Sequence, residues 1–433
     1  MKQMEHIVHA KWIVTGEKEQ RVLEDHALII DRGIIQDILP SSDAKAQYQA
    51  TRIDEYPYHA VMPGLINAHT HLGMNYFRGL GCDLMLMDWL NQYIWPAEKK
   101  WLAHDFVKDV SLFSMAEMIR GGTTCFNDMF YFLQATAEAT EIAGLRGCIG
   151  MTVIEFPTPW AQTTDEYFDK GLEFYEQYKD HDFITPTFAP HAPYTVSDAS
   201  FSRIKELSDK LDIKINLHLH ETQTEIDQSM TEYQKRPIKR LHDLGLLSPQ
   251  LLAVHTTQLN AEDLDILSQT KPHVIHCPES NMKLASGICP VDPLKELGIN
   301  IALGTDSVAS NNDLNMISEM RTATFLSKVS TLNPISCNAD DTLELATLNG
   351  AKALGMDHFI GSLKKGKAAD FIAINLDEIE TLPVFDPVVQ TIYSSSRQQV
   401  SDVWVAGRQL MKDRQLLTLN EAELKEKARR WRV

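Results

Sequence analysis

Short apolar segments alternate with amphipathic segments through the middle of this 433-residue chain. We predict eight strands there, around 61–66, 123–127, 147–153, 184–189, 213–219, 251–255, 273–277 and 299–304. The segments between them have helical periodicity, as in the stretch that follows a predicted N-cap at Ser197. Eight such units over about 300 residues predict a (β/α)8 barrel. A doubly wound open sheet is the competing architecture, but no G-x-G-x-x-G motif follows any of these strands.

The two ends of the chain have a different pattern. Residues 1–60 alternate like half-buried strands, with a turn at 31–33, and residues 361–412 return to this pattern, with a turn at 406–407. We therefore expect both termini to build one small β-sandwich domain, from 1–60 and 361–433, beside a barrel formed by 61–360. The basic end of the chain, Lys425 to Val433, is expected to form a solvated terminal helix.

Side chains able to bind metals or move protons stand at six of the eight predicted strand ends. In strand order they are His69 and His71, His191, His218 with His220 and Glu221, His255, His276, and Asp306. The carboxyl ends of barrel strands converge on one mouth, and residues two apart on a strand face the same side. Imidazoles joined by one carboxylate suit Zn²⁺ or a similar transition metal better than Mg²⁺ or Ca²⁺. The pattern therefore indicates a Lewis-acid metal centre at the barrel mouth.

Charge and composition exclude several classes of partner. The net charge of −18 repels phosphate backbones, which argues against nucleic-acid binding and favours small neutral or cationic molecules. No apolar stretch approaches the roughly 18 residues that a membrane-spanning helix needs, and the N-terminus has no signal-peptide pattern. The six cysteines form no C-x-x-C pair, which predicts reduced thiols in a cytoplasmic protein. A homo-oligomer is compatible with all of this.

The motifs at the strand ends resemble those of the amidohydrolase superfamily. H-x-H on the first strand, histidines on the fifth and sixth, and aspartate on the eighth carry the resemblance, together with PGLINAHTH, HCPESNMKLASG, GTDS and GKAADFIAI. Within the superfamily the chain is most similar to the methylthioadenosine/S-adenosylhomocysteine deaminases, through FRGLGCDLMLMDWL, IWPAE, FAPHAPYTVS, HLHET and GTDSVASNNDLNM. The resemblance spans nearly the whole chain. It implies a distorted barrel with a terminal β-sandwich, and hydrolytic deamination of methylthioadenosine, S-adenosylhomocysteine or adenosine to the inosine analogue and ammonia.

The resemblance also implies a role for each site residue. The metal ligands would be His69, His71, His218 and Asp306. One Zn²⁺ per chain is expected, with Fe²⁺, Mn²⁺ or another divalent metal as alternatives, because the TFAPHAP segment lacks the bridging lysine of binuclear members.

The remaining implied roles concern protons and the substrate. Glu221 would shuttle protons to the bound substrate, and His255 and Asp306 would act on the attacking water. Glu98 would hold the ribose hydroxyls, and His191 would contact the substrate. The loop after the third strand, VIEFPTPWAQTTDEYFDK, lacks the arginines that hold the tail of the nucleoside in some members, so a homocysteine carboxylate has no such partner there.

Other polar and aromatic residues near the strand ends are expected to have structural roles. His220 is expected to pack or hydrogen-bond, His276 to support a neighbour, and Arg146 to form a structural ion pair. Trp89 and Trp95 could stack on a purine or belong to the core.

Other functions stay open at this point. A guanine or cytosine deaminase or a triazine hydrolase would share the metal site, and Glu98 is the discriminating residue because only a substrate with a sugar uses it. A cyclic amidase generally resembles the binuclear type, and an inactive scaffold would have lost ligands that this chain keeps.

Overall fold

Two eight-stranded sheets organise the fold, and the computed structural model describes residues 1–431 of the chain. In chain order the strands are β1 (Lys2–Val14), β2 (Val22–Asp31), β3 (Ile34–Pro40), β4 (Tyr48–Pro63), β5 (Leu65–Thr70), β6 (Thr123–Phe130), β7 (Arg146–Val153), β8 (Ile184–Pro190), β9 (Ile215–Leu219), β10 (Leu251–His255), β11 (His273–His276), β12 (Ile301–Leu303), β13 (Phe371–Asn375), β14 (Val400–Val405), β15 (Arg408–Lys412) and β16 (Gln415–Leu416).

The α-helices lie between the barrel strands and around the second sheet. Within residues 1–431 they are α1 (Ser41–Gln47), α2 (Leu86–Trp89), α3 (Trp95–Trp101), α4 (His104–Arg120), α5 (Leu133–Ala143), α6 (Thr164–Tyr178), α7 (Asp198–Leu211), α8 (Gln223–Tyr233), α9 (Pro237–Asp243), α10 (Ala261–Thr270), α11 (Pro278–Lys283), α12 (Val291–Glu296), α13 (Met316–Thr331), α14 (Ala339–Leu345), α15 (Leu348–Ala353), α16 (Pro387–Tyr393) and α17 (Glu421–Arg430). Within this same part of the chain, no helix is both long and apolar enough to cross a membrane.

Strands β5 to β12 run parallel and nearly close into a barrel. One bridge between Thr70 and Asp306 joins the first strand to the end of the last, and the Asp306 N–H donates to the His69 carbonyl at 3.0 Å. Near the amino ends of the strands, α15 packs against β5 and β12. The predicted (β/α)8 barrel is confirmed, together with a second β unit built from both termini.

The first barrel strand lies later in the chain than the sequence predicted. Residues 61–63 end β4 and pair with β13 in the other sheet, and the barrel strand is Leu65–Thr70. Gly64 lies between the two strands. Glycine is required at this position because a Cβ there would lie 2.1 Å from the Thr124 hydroxyl oxygen. The strand predicted around 61–66 overlaps the barrel strand only at residues 65 and 66, because the apolar run continues across this junction without a change of character. The other seven predicted strands overlap β6 to β12.

The second sheet has the order β16-β15-β14-β13-β4-β1-β2-β3. Its halves come from opposite ends of the chain and meet where β4 pairs antiparallel with β13. The two turns predicted at 31–33 and 406–407 lie against each other, since a Cβ on Gly33 would approach the Ala406 carbonyl oxygen to 2.5 Å. Glycine is therefore required at position 33 by close approach as well as by its φ of +73°.

Helix predictions hold where a cap was identified. Helix α7 begins after Ser197, whose hydroxyl accepts the Ser200 N–H, and it buries Phe201 and Ile204. The predicted terminal helix corresponds to α17, but residues 432–433 lie outside the described part of the chain. This helix is docked rather than free, because Lys427 pairs with Asp109 at 2.8 Å on α4.

Candidate active site

Four side chains from three strand ends converge at the barrel mouth. His69 and His71 come from the end of β5, His218 from β9, and Asp306 follows β12. One ligand atom from each lies within 4.8 Å of all the others. The register of β5 against β6 shifts between Asn67 and Thr70, and such an irregularity re-aims the side chains that follow it.

The hydrogen bonds of His71 and His218 leave one ring nitrogen of each free to bind a cation. The Nδ1–H of His71 donates to the Met129 carbonyl at 2.6 Å, and that of His218 donates to the His191 carbonyl at 2.8 Å. In the neutral rings the Nε2 atoms carry lone pairs, and these two atoms lie 3.3 Å apart. Two acceptors cannot bond each other, but both can bind one metal ion, and carbonyl partners on the far nitrogen are usual for metal-binding imidazoles. The donor set fits a divalent metal.

Charge and hydrogen bonding also favour metal binding by these four side chains. Burial lowers the pKa of His69 to about 4 and that of His218 well below its usual value, so both rings are neutral at pH 7. Asp306 is also buried, which by itself raises its pKa, but His69 and His71 hold that pKa well below its usual range. The hydroxyls of Ser280 and Ser310 donate to its second oxygen at 2.6 and 2.8 Å.

Glu221 lies beside this set at the end of β9. Its Oε2 is 3.8 Å from Nε2 of His255, whose other nitrogen is hydrogen-bonded to the Asn281 amide oxygen at 2.8 Å. Burial, followed by the negative charge of Asp306, raises the pKa of Glu221 to about 8. Glu221 can therefore hold a proton at neutral pH, while burial lowers the pKa of His255 and keeps its ring neutral.

The backbone of Glu221 is held by a residue that the motifs did not identify. Glu225, in the first turn of α8, accepts the N–H of His220 at 2.9 Å and that of Glu221 at 2.8 Å. The Thr257 hydroxyl donates to the Glu221 carbonyl at 2.7 Å. His220 has a left-handed φ of +54°, so this turn depends on such bonds. The spacing HLHET-x-x-E, a helix N-terminus carrying an acid, was the signal available in the sequence.

A small cavity joins these groups to the segment between β5 and α4. Its volume is about 80 Å³, and it is lined by His71, His191, His218, Glu221, His255 and Asp306 on the barrel side. The covering segment contributes Trp89, Trp95 and Glu98 among others. Burial raises the pKa of Glu98 to about 8 as well. Every predicted site residue except His69 lines this cavity. His69 is fully buried beside the other three candidate metal ligands.

The remaining predicted residues have structural contacts. His220 accepts the Ile238 N–H at 3.0 Å and is hydrogen-bonded to the Gln258 carbonyl at 3.0 Å, which matches its expected packing role. His276 is buried close to His255, outside the ligand set. Trp89 donates its indole N–H to the Leu80 carbonyl at 2.9 Å, and Trp95 packs edge to face on Phe156 while lining the cavity.

Comparison with known proteins places this fold and site in a family. The amidohydrolase family model matches residues 60–410. A relative from Teredinibacter turnerae, named 5-methylthioadenosine/S-adenosylhomocysteine deaminase, is 43% identical over 429 residues, which is 99% of this chain and 97% of the relative.

Solved structures agree with this assignment. An adenosine deaminase from Xanthomonas campestris with bound zinc superposes with a TM-score of 0.98 at 43% identity, over 100% of this chain and 98% of that chain. An atrazine chlorohydrolase from Arthrobacter aurescens complexed with zinc has a TM-score of 0.92 at 20% identity, over 98% and 99% of the two chains, and this likeness concerns the fold alone. The strand order, the strand-end motifs and these matches lead to one assignment. The chain belongs to the amidohydrolase family.

Proposed function

We propose that this protein is a metal-dependent hydrolytic deaminase of adenine nucleosides. Its substrates would be 5′-methylthioadenosine, S-adenosylhomocysteine and adenosine, and its products the inosine analogue and ammonia. The observation that carries the proposal is the convergence of lone-pair imidazole nitrogens and Asp306 beside a buried, protonated Glu221. The names of the full-length relatives support the substrate class.

We infer one Zn²⁺ per chain, held by His69, His71, His218 and Asp306. A second ion is not expected, because the end of β8 carries no lysine to bridge two metals. When bound, the metal supplies Lewis-acid chemistry that activates water at neutral pH.

The proton transfers are assigned to three residues of the chain. Glu221 donates a proton to N1 of the adenine ring, which makes C6 electrophilic. Asp306 or Nε2 of His255 takes up the proton that the attacking water loses. That proton then passes to the C6 amino group, which leaves as ammonia, while the new C6 hydroxyl returns its proton to Glu221 and becomes the carbonyl. The dry surroundings that raise the pKa of Glu221 keep its proton available at pH 7.

Glu98 is proposed to position the nucleoside rather than to react with it. Its carboxyl group would hydrogen-bond the ribose hydroxyls and hold C6 against the reacting water, with His191 contacting the substrate. A cavity of about 80 Å³ is smaller than the roughly 300 Å³ or more of ordinary ligand pockets. Substrate entry would therefore require the segment between β5 and α4, which carries Glu98, to move outward.

An ammonia-release panel tests the proposal. The metal-loaded protein would be assayed with methylthioadenosine, S-adenosylhomocysteine, adenosine, adenine, guanine and cytosine. We expect turnover of the nucleosides and a KM for them raised at least about tenfold in Glu98→Ala. Turnover of the free bases alone, or nucleoside activity unaffected in Glu98→Ala, would overturn the substrate assignment.

The same panel addresses the tail of the substrate. The cavity lining, within the described chain, includes no lysine or arginine, so methylthioadenosine is expected to exceed S-adenosylhomocysteine in kcat/KM. We also infer a cytoplasmic location, which the free state of all six cysteines supports.

A further inference from the structure

One tyrosine in the wall of the cavity has a hydroxyl group that no protein atom satisfies. Tyr131 directly follows β6, lines the cavity and is only 7% exposed. Its hydroxyl has no hydrogen-bond partner among residues 1–431, although its oxygen is not sealed inside the protein. Buried polar groups are normally hydrogen-bonded, because an unpaired one costs free energy. The Tyr131 hydroxyl therefore opens on the cavity, where a bound substrate can supply its partner.

Aromatic neighbours hold the Tyr131 ring in place. It packs on Phe130 and Trp160, with ring centroids 5.3 and 6.5 Å apart. Trp160 in turn packs edge to face on Tyr167 at 5.4 Å, and the Tyr167 hydroxyl donates to Oγ1 of Thr158 at 2.7 Å. Because this packing fixes the ring before substrate binds, a hydrogen bond from its hydroxyl loses little to ordering.

Glu98 is the charged group that faces this hydroxyl across the cavity. Burial, followed by the negative charge of Glu98, raises the pKa of Tyr131 well above its usual value, so the phenol keeps its proton and is a donor. Trp95, on the helix α3 that carries Glu98, packs edge to face on Phe156 at 5.6 Å. Phe156 belongs to the same loop after β7 as Trp160, so Glu98 and Tyr131 are held against one loop.

Other hydroxyls of the cavity are already engaged or lie elsewhere. Thr152 donates to a backbone carbonyl at 2.6 Å, and Ser310 donates to a carboxylate oxygen at 2.8 Å. Tyr194 lies on the side of Glu221, whose negative charge adds to burial in raising the pKa of Tyr194. Tyr131 is therefore the cavity tyrosine that belongs to the end where the substrate is positioned rather than where it reacts.

We propose that the Tyr131 hydroxyl donates a hydrogen bond to an oxygen of the ribose vicinal diol and makes the site selective for ribonucleosides over deoxyribonucleosides. The inference rests on the proposed function, which assigns the ribose hydroxyls to Glu98. Each ribose hydroxyl is both a donor and an acceptor, so the Glu98 carboxyl can accept a hydrogen from the diol while Tyr131 donates one to it. A deoxyribonucleoside leaves the buried Tyr131 O–H unpaired, and a site built to hydrogen-bond a substrate hydroxyl rejects the analogue that lacks it.

Tyr131→Phe removes the hydroxyl, keeps the ring and tests the proposal on the full-length, metal-loaded protein. The substrates are adenosine and methylthioadenosine, each compared with its 2′-deoxy and 3′-deoxy analogue. For the two ribonucleosides we expect KM to rise about tenfold and kcat to change less than about twofold, as for the loss of one hydrogen bond made equally in the ground and transition states. For the analogue that lacks the bonded oxygen, KM should be the same in Tyr131→Phe and the wild type.

Tyr178→Phe is the matched control. Tyr178 is 6% exposed on α6, its hydroxyl also has no partner within residues 1–431, and it lies outside the cavity lining. This variant should keep the wild-type KM for all six nucleosides. Because KM does not depend on the fraction of folded enzyme, partial misfolding of Tyr131→Phe cannot imitate the expected pattern.

Two results would overturn the proposal and leave the deaminase function intact. One is a wild type that accepts both deoxy analogues as readily as the ribonucleosides. The other is a Tyr131→Phe variant whose KM is unchanged for every nucleoside, or is raised equally for the ribonucleosides and both deoxy analogues. A wild type that deaminates none of the six nucleosides would instead refute the proposed function, and this inference with it.

Discussion

His69 and His71 illustrate how much one short motif can predict at the scale of single residues. An H-x-H pair is common, but its place at the end of a predicted barrel strand, with further histidines at other strand ends, was enough to predict a shared site. The partners of the far nitrogens, the Met129 and His191 carbonyls, are backbone atoms. No residue type marks them in the sequence, so only the structure could identify them.

Replacing His69 with alanine should remove metal binding without unfolding the barrel. Changes even in the partners of metal ligands cost about 10- to 100-fold in metal affinity, so loss of a ligand should cost at least as much. Metal content by mass spectrometry and the far-ultraviolet circular dichroism spectrum provide the measurement. His276→Ala removes another buried barrel histidine and should keep its metal. Equal metal content in both variants would contradict the ligand assignment.

The proton on Glu221 predicts how activity depends on pH. Burial, with Asp306 second, raises the pKa of Glu221 to about 8, so the carboxyl is protonated at pH 7 and ionised above pH 8. Because the proposed mechanism assigns it the donation of a proton, kcat should be constant through neutrality and fall about tenfold per pH unit beyond 8. Glu221→Gln, which has no acidic proton, should lose at least about 100-fold in kcat. A rate that stays constant to pH 9.5, or an active Glu221→Gln, would remove Glu221 from this role.

At the scale of elements, the turn between β9 and α8 places Glu221. Glu225 accepts two N–H groups there, and a glutamine has only one oxygen with which to accept them. Glu225→Gln should therefore lower kcat about tenfold, since an unpaired buried N–H costs about 1–3 kcal/mol, with metal content and KM unchanged. Glu232→Gln, exposed on the same helix, is the control. Wild-type kcat in Glu225→Gln would show that the turn keeps its geometry without this carboxylate.

Strands and helices could be predicted where one hydrophobic periodicity continued through the segment and the sequence marked its ends. Seven barrel strands and α7 follow from apolar runs and a cap, and the site follows from them because parallel strands share one carboxyl edge. The junction at Gly64 was not predictable, since the requirement for glycine there comes from a close approach to Thr124 on another strand. Nor does local pattern reveal that the segment with Trp89 and Glu98 folds over the barrel mouth, because that is a tertiary contact.

At the scale of the whole molecule, a buried ion pair ties the barrel to the second sheet. Arg146, at the start of β7, donates to both oxygens of Asp370 at 2.7 and 3.1 Å, just before β13. One Asp370 oxygen also accepts the Ala406 N–H at 2.7 Å. The structural ion pair expected for Arg146 is confirmed, and its partner lies more than 200 residues away in the chain.

Breaking this pair should destabilise the protein strongly. Arg146→Leu leaves Asp370 buried and unpaired, which costs about 3–5 kcal/mol, and thermal unfolding should register a large fall in melting temperature. Arg203→Ala, which breaks an exposed pair with Asp165, should change stability by about 1 kcal/mol or less. Comparable melting temperatures for the two variants would mean that the buried pair is dispensable.

The pairing of β4 with β13 also bears on how the protein is made. On a ribosome, β4 emerges early, but its partner β13 follows only after about 300 further residues, or roughly 15–60 s at about 5–20 residues per second. Until then the nascent chain carries an open strand edge that can pair with other chains. We therefore expect this protein to pair with other chains most readily before β13 emerges, and slower translation to lengthen that interval.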